Sequence, residues 1–219
     1  MGAIARNIAN KITTGGVFTS GAITNSSVTG ITVLANATDG ITFISSQTAS
    51  NSASISFTSG LTSTYKAYKF VFSNIHVRSE TGTPDFGYNM STDGGSNYNV
   101  TKTGTSFRAY HNEGDSSTAL AYSTAFDLAQ STAIQCFGDL AQGADADQCV
   151  AGELLLFNPS STTYVKHYIS RANDYNVSDY SIVSYVAGYC NTTSAINAIQ
   201  FKMNNGNNFD GTIYMYGIK

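Results

Sequence analysis

Tryptophan is absent from this 219-residue chain, proline occurs twice, cysteine three times, and only 11% of the residues are charged. Each scarcity excludes something. An average soluble protein is about 25% charged, so this surface is built from uncharged polar groups, and Gly, Ser, Thr, Asn and Tyr are in heavy use. No cluster of Lys or Arg occurs, the formal net charge is −3 and the sequence pI is near 5.4. That balance argues against a nucleic-acid partner, which needs a basic face to neutralise phosphates. Charge is low rather than extreme and hydrophobic residues make up 42% of the chain, which excludes wholesale disorder.

Long apolar runs are also missing. The opening MGAIARNIANKITTGG has no signal-peptide core, and no later stretch approaches a membrane span, so synthesis in a cytoplasm without an ordinary secretion signal, and no membrane partner, are expected. Five Asn-X-Ser/Thr triplets begin at Asn25, Asn36, Asn99, Asn176 and Asn191. An Asn- and Thr-rich chain generates them by chance, and glycosylation requires a secretory route.

The chemistry-bearing motifs are equally sparse. Cys136, Cys149 and Cys190 fit no zinc spacing, and their odd number leaves at least one unpaired. They read as small apolar residues, with a Cys136–Cys149 bridge as the alternative. His76, His111 and His167 are far apart and lack a partner at ligand spacing, so no metal site is expected there, and His167 reads as structural. Asp145 and Asp147 in GADADQ offer carboxylates to a cation, but the full calcium-loop spacing is missing. His111, Glu113 and Asp115 form the best acid cluster, in a glycine-containing turn where a solvated loop is the plain explanation. With no G-x-S-x-G elbow, P-loop or dinucleotide fingerprint, we expect no catalytic residue, no cofactor and no enzyme.

What is present is sheet-forming. Thr, Val, Ile, Tyr and Phe suit a pleated, half-buried surface, and from residue 41 strand-like runs recur between Gly, Asn, Asp and Ser clusters. Ile41 and Phe43, Ile55 and Phe57, and Tyr68, Phe70 and Phe72 share faces, each giving its run an inside. Val183, Tyr185, Ala187 and Tyr189 do the same, as do Ile199, Phe201 and Met203, and then Ile213 and Met215. GELLLFNP (152–159) is apolar on both faces and predicts a central strand covered on two sides. STDGGSN (91–97), HNEGD (111–115) and NNGNNFDG (204–211) read as turns. The spacing predicts an all-β fold, an antiparallel, jelly-roll-like β-sandwich over residues 41–219.

Residues 1–40 differ from the rest. Ile4, Ile8 and Ile12 recur every fourth position, one stripe of a short helix, and the following small polar residues cannot bury enough apolar area to fold alone. A helical or extended attachment and oligomerisation segment is expected, with that stripe as its contact; a frayed tail is the simpler alternative. Tyr164, Tyr168, Tyr175, Tyr180, Tyr185 and Tyr189 crowd one stretch beside Asn173, Asp174 and Asn176. Tyrosine either fills half-buried strand positions or stacks on sugars and protein partners; Tyr175 and Tyr180, in a predicted loop, are the candidates for surface or glycan contact.

Several phrases carry a resemblance: ITFISSQTASNSASISFTSGLTSTYKAYKFVFSNIH (41–76), STDGGSNYNVTKT (91–103), FRAYHNEGD (107–115), LLLFNPSSTTYVKHYISR (154–171), AGYCNTTSAINAIQFKM (187–203) and GTIYMYGIK (211–219). These stretches resemble fibre-like and uncharacterised virion proteins of tailed bacteriophages that infect aquatic bacteria. GAIARNIANKITTGGVFTSGAI is similar to the N-terminal segments of such proteins. The resemblance implies a structural protein of a virus particle (tail fibre, head fibre or capsid decoration), made in the host bacterial cytoplasm and held through residues 1–40 to other virion proteins of the capsid, tail or an adaptor. We expect a homotrimer, since cyclic symmetry multiplies weak contacts, contacting protein or a host-surface glycan. A free carbohydrate-binding module acting in receptor recognition is the second expectation.

Overall fold

In a computed structural model, residues 40–219 are the ones described, and Ile4, Ile8 and Ile12 lie outside them. The described residues form thirteen strands and no helix: β1 (Ile41–Ser52), β2 (Ile55–Phe57), β3 (Ala67–Val77), β4 (Phe86–Ser91), β5 (Lys102–Asn112), β6 (Thr118–Tyr122), β7 (Leu128–Ser131), β8 (Gln135–Cys136), β9 (Val150–Phe157), β10 (Lys166–Tyr175), β11 (Tyr180–Cys190), β12 (Ala198–Met203) and β13 (Phe209–Ile218). They make two antiparallel sheets. The larger has nine strands in the order β1-β13-β3-β9-β10-β11-β5-β6, with β7 also on β5; the smaller is β2-β12-β4-β8. The sandwich expected from alternation is what the chain forms, with sheets of unequal size.

The core lies between the sheets and is aromatic. Phe70 and Phe72 of β3 meet Phe57, Phe86 and Phe201 of the small sheet, and Phe137, just after β8, closes on Phe72 at 4.4 Å between ring centres. All of these rings are buried. Edge-to-face and offset pairs of this kind add about 0.5–1.5 kcal/mol each beyond area burial. Ile55 and Phe57, Tyr68, Phe70 and Phe72, Ile199, Phe201 and Met203, and Ile213 and Met215 all point inward as their alternation predicts.

One close approach explains a local sequence choice. Tyr168, Gly188 and Gly104 are register partners on β10, β11 and β5, and the Tyr168 ring lies across both glycines. A Cβ on Gly188 would come within 2.5 Å of the Tyr168 hydroxyl, and one on Gly104 within 2.8 Å. Glycine there lets the hydroxyl donate to Gln135 Oε1 at 3.1 Å.

Four expectations need correcting. Ile41 and Phe43 are 60% and 55% exposed, on the outer side of β1. On β11 the inward set is Ile182, Ser184, Val186, Gly188 and Cys190, so Val183, Tyr185, Ala187 and Tyr189 face out. The reason is space: Gly138 sits so tightly on Ser184 that neither position accepts more bulk, and Tyr168 fills the volume over Gly188. β9 is central, between β3 and β10, but Glu153 and Leu155 point to the other face and are only half-buried. No layer formed by the described residues covers that side. The Cys136–Cys149 alternative also falls, because all three cysteines are free, Cys136 and Cys190 buried and Cys149 half-buried.

Turn chemistry follows the sequence. In STDGGSN the Asp93 carboxylate accepts from Ser91 Oγ at 2.6 Å, Asn97 N at 2.9 Å and Asn97 Nδ2 at 2.8 Å, bonds that hold its pKa down to about 2.

Candidate functional site

The small sheet covers only one face of the large one, so the other face presents its cross-strand rows. Register places Glu153, Arg171, Tyr185, Phe107 and Tyr122 side by side on β9, β10, β11, β5 and β6. The neighbouring row runs Lys69, Leu155, Ile169 and Ala187. Because side chains alternate with a period of two, these positions share one face. Ile169 is 51% exposed, Phe107 43% and Tyr122 54%. Large apolar side chains in an unbroken exposed row mark interaction surfaces on soluble domains.

Polar groups sit in the middle of this apolar band. Lys69 Nζ is 2.5 Å from Glu153 Oε2, and Arg171 Nη2 is 3.5 Å from Glu153 Oε1. Tyr185 stacks on Phe107 with ring centres 5.1 Å apart and planes within 12°. Two shallow depressions flank the Arg171–Tyr185 pair. One, about 300 Å³, is bounded by Lys69, Glu153, Leu155 and Ile169; the other, about 470 Å³, by Ala151, Gly152, Asn173 and Val183.

Tyr175 and Tyr180 close β10 and open β11 rather than lying in a loop. Both are half-buried, and they belong to different depressions. Tyr175 lies with His111, Asn112, Glu113 and Ser181, whereas Tyr180 lies with Arg108, Tyr110 and Ile182. The Tyr175 hydroxyl donates to Asp179 Oδ1 at 3.0 Å, and that bond first, then desolvation, pushes its pKa up to about 12. Tyr180 packs edge-on against Tyr110, whose ring carries the Arg108 guanidinium at 5.3 Å. Of the other tyrosines in the stretch, Tyr168 is core and Tyr164 is 72% exposed between β9 and β10.

The acid cluster is a turn. His111 Nε2 lies 2.9 Å from Asp115 Oδ1, with the Asp115 side chain 91% exposed, and Glu113 is tied by its backbone N–H to the Asp179 carbonyl. Asp145 and Asp147 are exposed in the turn before Gln148, and among the described residues no three His, Cys, Asp or Glu side chains gather as a metal set. His76 Nδ1 bonds the Gln148 carbonyl at 2.8 Å, and His167 lies beside Tyr189 on the outer face.

Ionisable groups are also buried beneath the sheet. Asp85 accepts from the Leu140 and Ala141 amides at 2.9 Å and from Asn204 Nδ2 at 3.1 Å, yet burial raises its pKa. Lys102 donates to Asn89 Oδ1 and to the Val100 carbonyl, and burial pulls its pKa down to about 8. Asp174 has neither kind of help: it is 1% exposed and neither carboxyl oxygen has a hydrogen-bond partner among the described residues. Burial, then the nearby Asp85 charge, pushes it up to about 8. Gln142, tied through its backbone to Pro84 and bridged to Asn176, buries in the same region an amide with no partner among the described residues.

The outer-face set of Glu153, Arg171, Tyr185 and Phe107 was not assembled from the sequence. Its signal is faint: both sides of β11 carry apolar residues, so alternation alone does not choose its inside. No known protein family, no curated protein and no solved structure matches the chain significantly.

Proposed function

We propose that the chain is a non-enzymatic structural protein of a bacteriophage particle, held through residues 1–40 and displaying the β-sandwich for contact, as a trimer, with protein or surface glycan. The observation that carries the contact role is the exposed row Arg171, Tyr185, Phe107 and Tyr122 across the open face of the large sheet. The sequence resemblance supports the setting. Sites shaped for turnover hold groups with opposed proton affinities around one cleft; on this face the charged groups pair with one another, Lys69 and Arg171 around Glu153. Three copies displayed together raise a weak contact to useful avidity, provided the spacing permits simultaneous engagement.

Attachment is tested by deletion. Phage carrying the chain without residues 1–38 should yield particles that lack it by mass spectrometry, while the truncated protein stays soluble and folded, since Gly40–Lys219 has its own core. Normal incorporation of the truncated chain contradicts the attachment role.

A further inference from the structure

Resting on the contact reading, we propose that the open face binds a carboxylate-bearing saccharide at Arg171 and Tyr185. Charge selects the ligand. Glu153 is satisfied by Lys69 at 2.5 Å, which leaves Arg171, among the described residues, with one loose side-chain contact at 3.5 Å and a side chain 57% exposed. Two cations stand around one anion there, a local excess of positive charge in a chain whose formal net charge is −3. A planar guanidinium with free donors matches a carboxylate in a two-bond fork.

The rest of the ligand is selected by the ring next door. Tyr185 is 38% exposed and supported from one side by Phe107. The electron-rich face of such a ring attracts the C–H face of a sugar, while its hydroxyl reaches the sugar's own hydroxyls. Depressions on both sides of the Arg171–Tyr185 pair give neighbouring sugar units room, with Asn173 as a further hydrogen-bonding group in one and Glu153 in the other.

A flat protein partner fits less well. Charged residues are depleted at the centres of protein interfaces, and covering Lys69, Glu153 and Arg171 together would strip water from three charges. A saccharide replaces that water with hydroxyl groups and leaves the rim hydrated.

The full-length chain should be titrated by NMR with sialyllactose and with a galacturonic acid trisaccharide, and with lactose and a galactose trisaccharide as neutral counterparts. At least one acidic probe should bind on the order of tenfold more tightly than its neutral counterpart, as expected for one charge-assisted pair. Arg171→Gln and Tyr185→Ala should each weaken it by a similar factor, Arg171→Lys by less. Leu120→Ser, on the same face but three strands from β10, should change nothing. All three positions are outward-facing, so an unchanged melting temperature separates lost binding from lost fold. Failure of both acidic probes, equal binding of the neutral ones, or undiminished binding by Arg171→Gln overturns the proposal. Incorporation into particles is a separate measurement: exclusion of the truncated chain with no sugar binding refutes the saccharide alone, and sugar binding by a chain found in no particle refutes the particle setting alone.

Discussion

Replacing Asp174 by Asn should stabilise the protein at neutral pH and should do so less as the pH falls. In the fold this carboxyl titrates near 8, against 3.8 for the free side chain, because it is buried, with the Asp85 charge nearby and no hydrogen-bond partner among the described residues. The folded state therefore holds the proton more tightly than the unfolded chain. Its stability contribution is complete below the unfolded pKa and is lost as pH rises from about 4 towards about 8. One pKa unit corresponds to 1.36 kcal/mol, so some three units between the unfolded value and pH 7 give an upper bound of about 4 kcal/mol. Relaxation and water entry lower this, and about 1–4 kcal/mol is the working range. The Asn amide is nearly isosteric and carries no titration; any loss from its own unsatisfied atoms is the same at every pH. Carboxylates remote from Asp174 titrate alike in both proteins, so the difference between them isolates Asp174 together with its coupling to Asp85. Urea denaturation of the two proteins between about pH 4 and pH 8 should give a stability difference that grows with pH across that range. A difference that is flat across that range, or that grows in the opposite direction, refutes the assignment of Asp174 as a buried, strained acid.

Phe86→Ala should cost about 3–5 kcal/mol in denaturant unfolding, since the ring touches Phe72, Phe137, Phe201 and Phe209 in the core; a loss under about 1 kcal/mol would mean the sheets are not locked there. Gly188→Ala should destabilise by about 1–3 kcal/mol, because its methyl meets the Tyr168 hydroxyl and the Thr103 carbonyl; thermal melting reads the change, and an unchanged melt argues against Tyr168 lying across the glycines. Of the three thiols, Cys149 should react first with a soluble disulfide reagent under native conditions, and Cys136 and Cys190, buried, only on unfolding. Simultaneous reaction of all three would contradict the burial described.

The sequence made the sheets legible where polar residues separate large apolar ones. Gln200 and Lys202 between Ile199, Phe201 and Met203 leave a single choice of inside, and the same holds for Ile213 and Met215. β11 offers no such contrast. Ile182 and Val186 on one side balance Val183 and Tyr185 on the other, and the inward choice is made by Gly138 against Ser184 and by Tyr168 over Gly188, contacts that no local periodicity encodes. Phe43 was misplaced for a related reason: it has the bulk of a core residue, but its face of β1 meets no layer among the described residues and it instead packs edge-on against Tyr216 on the outer surface. The candidate site was hidden by pairing. Glu153, Arg171, Tyr185 and Phe107 lie on four strands whose register emerges only from the fold, so the tyrosine-rich stretch was visible but the member that stands beside an under-partnered arginine was not.

Cross-linking mass spectrometry of purified phage particles should yield cross-links from Lys11 to another particle protein, while Lys69 on the open face stays free for amine labelling from solvent. The chain's absence from particles, or a protected Lys69 together with an unlinked Lys11, would contradict the proposed attachment and display.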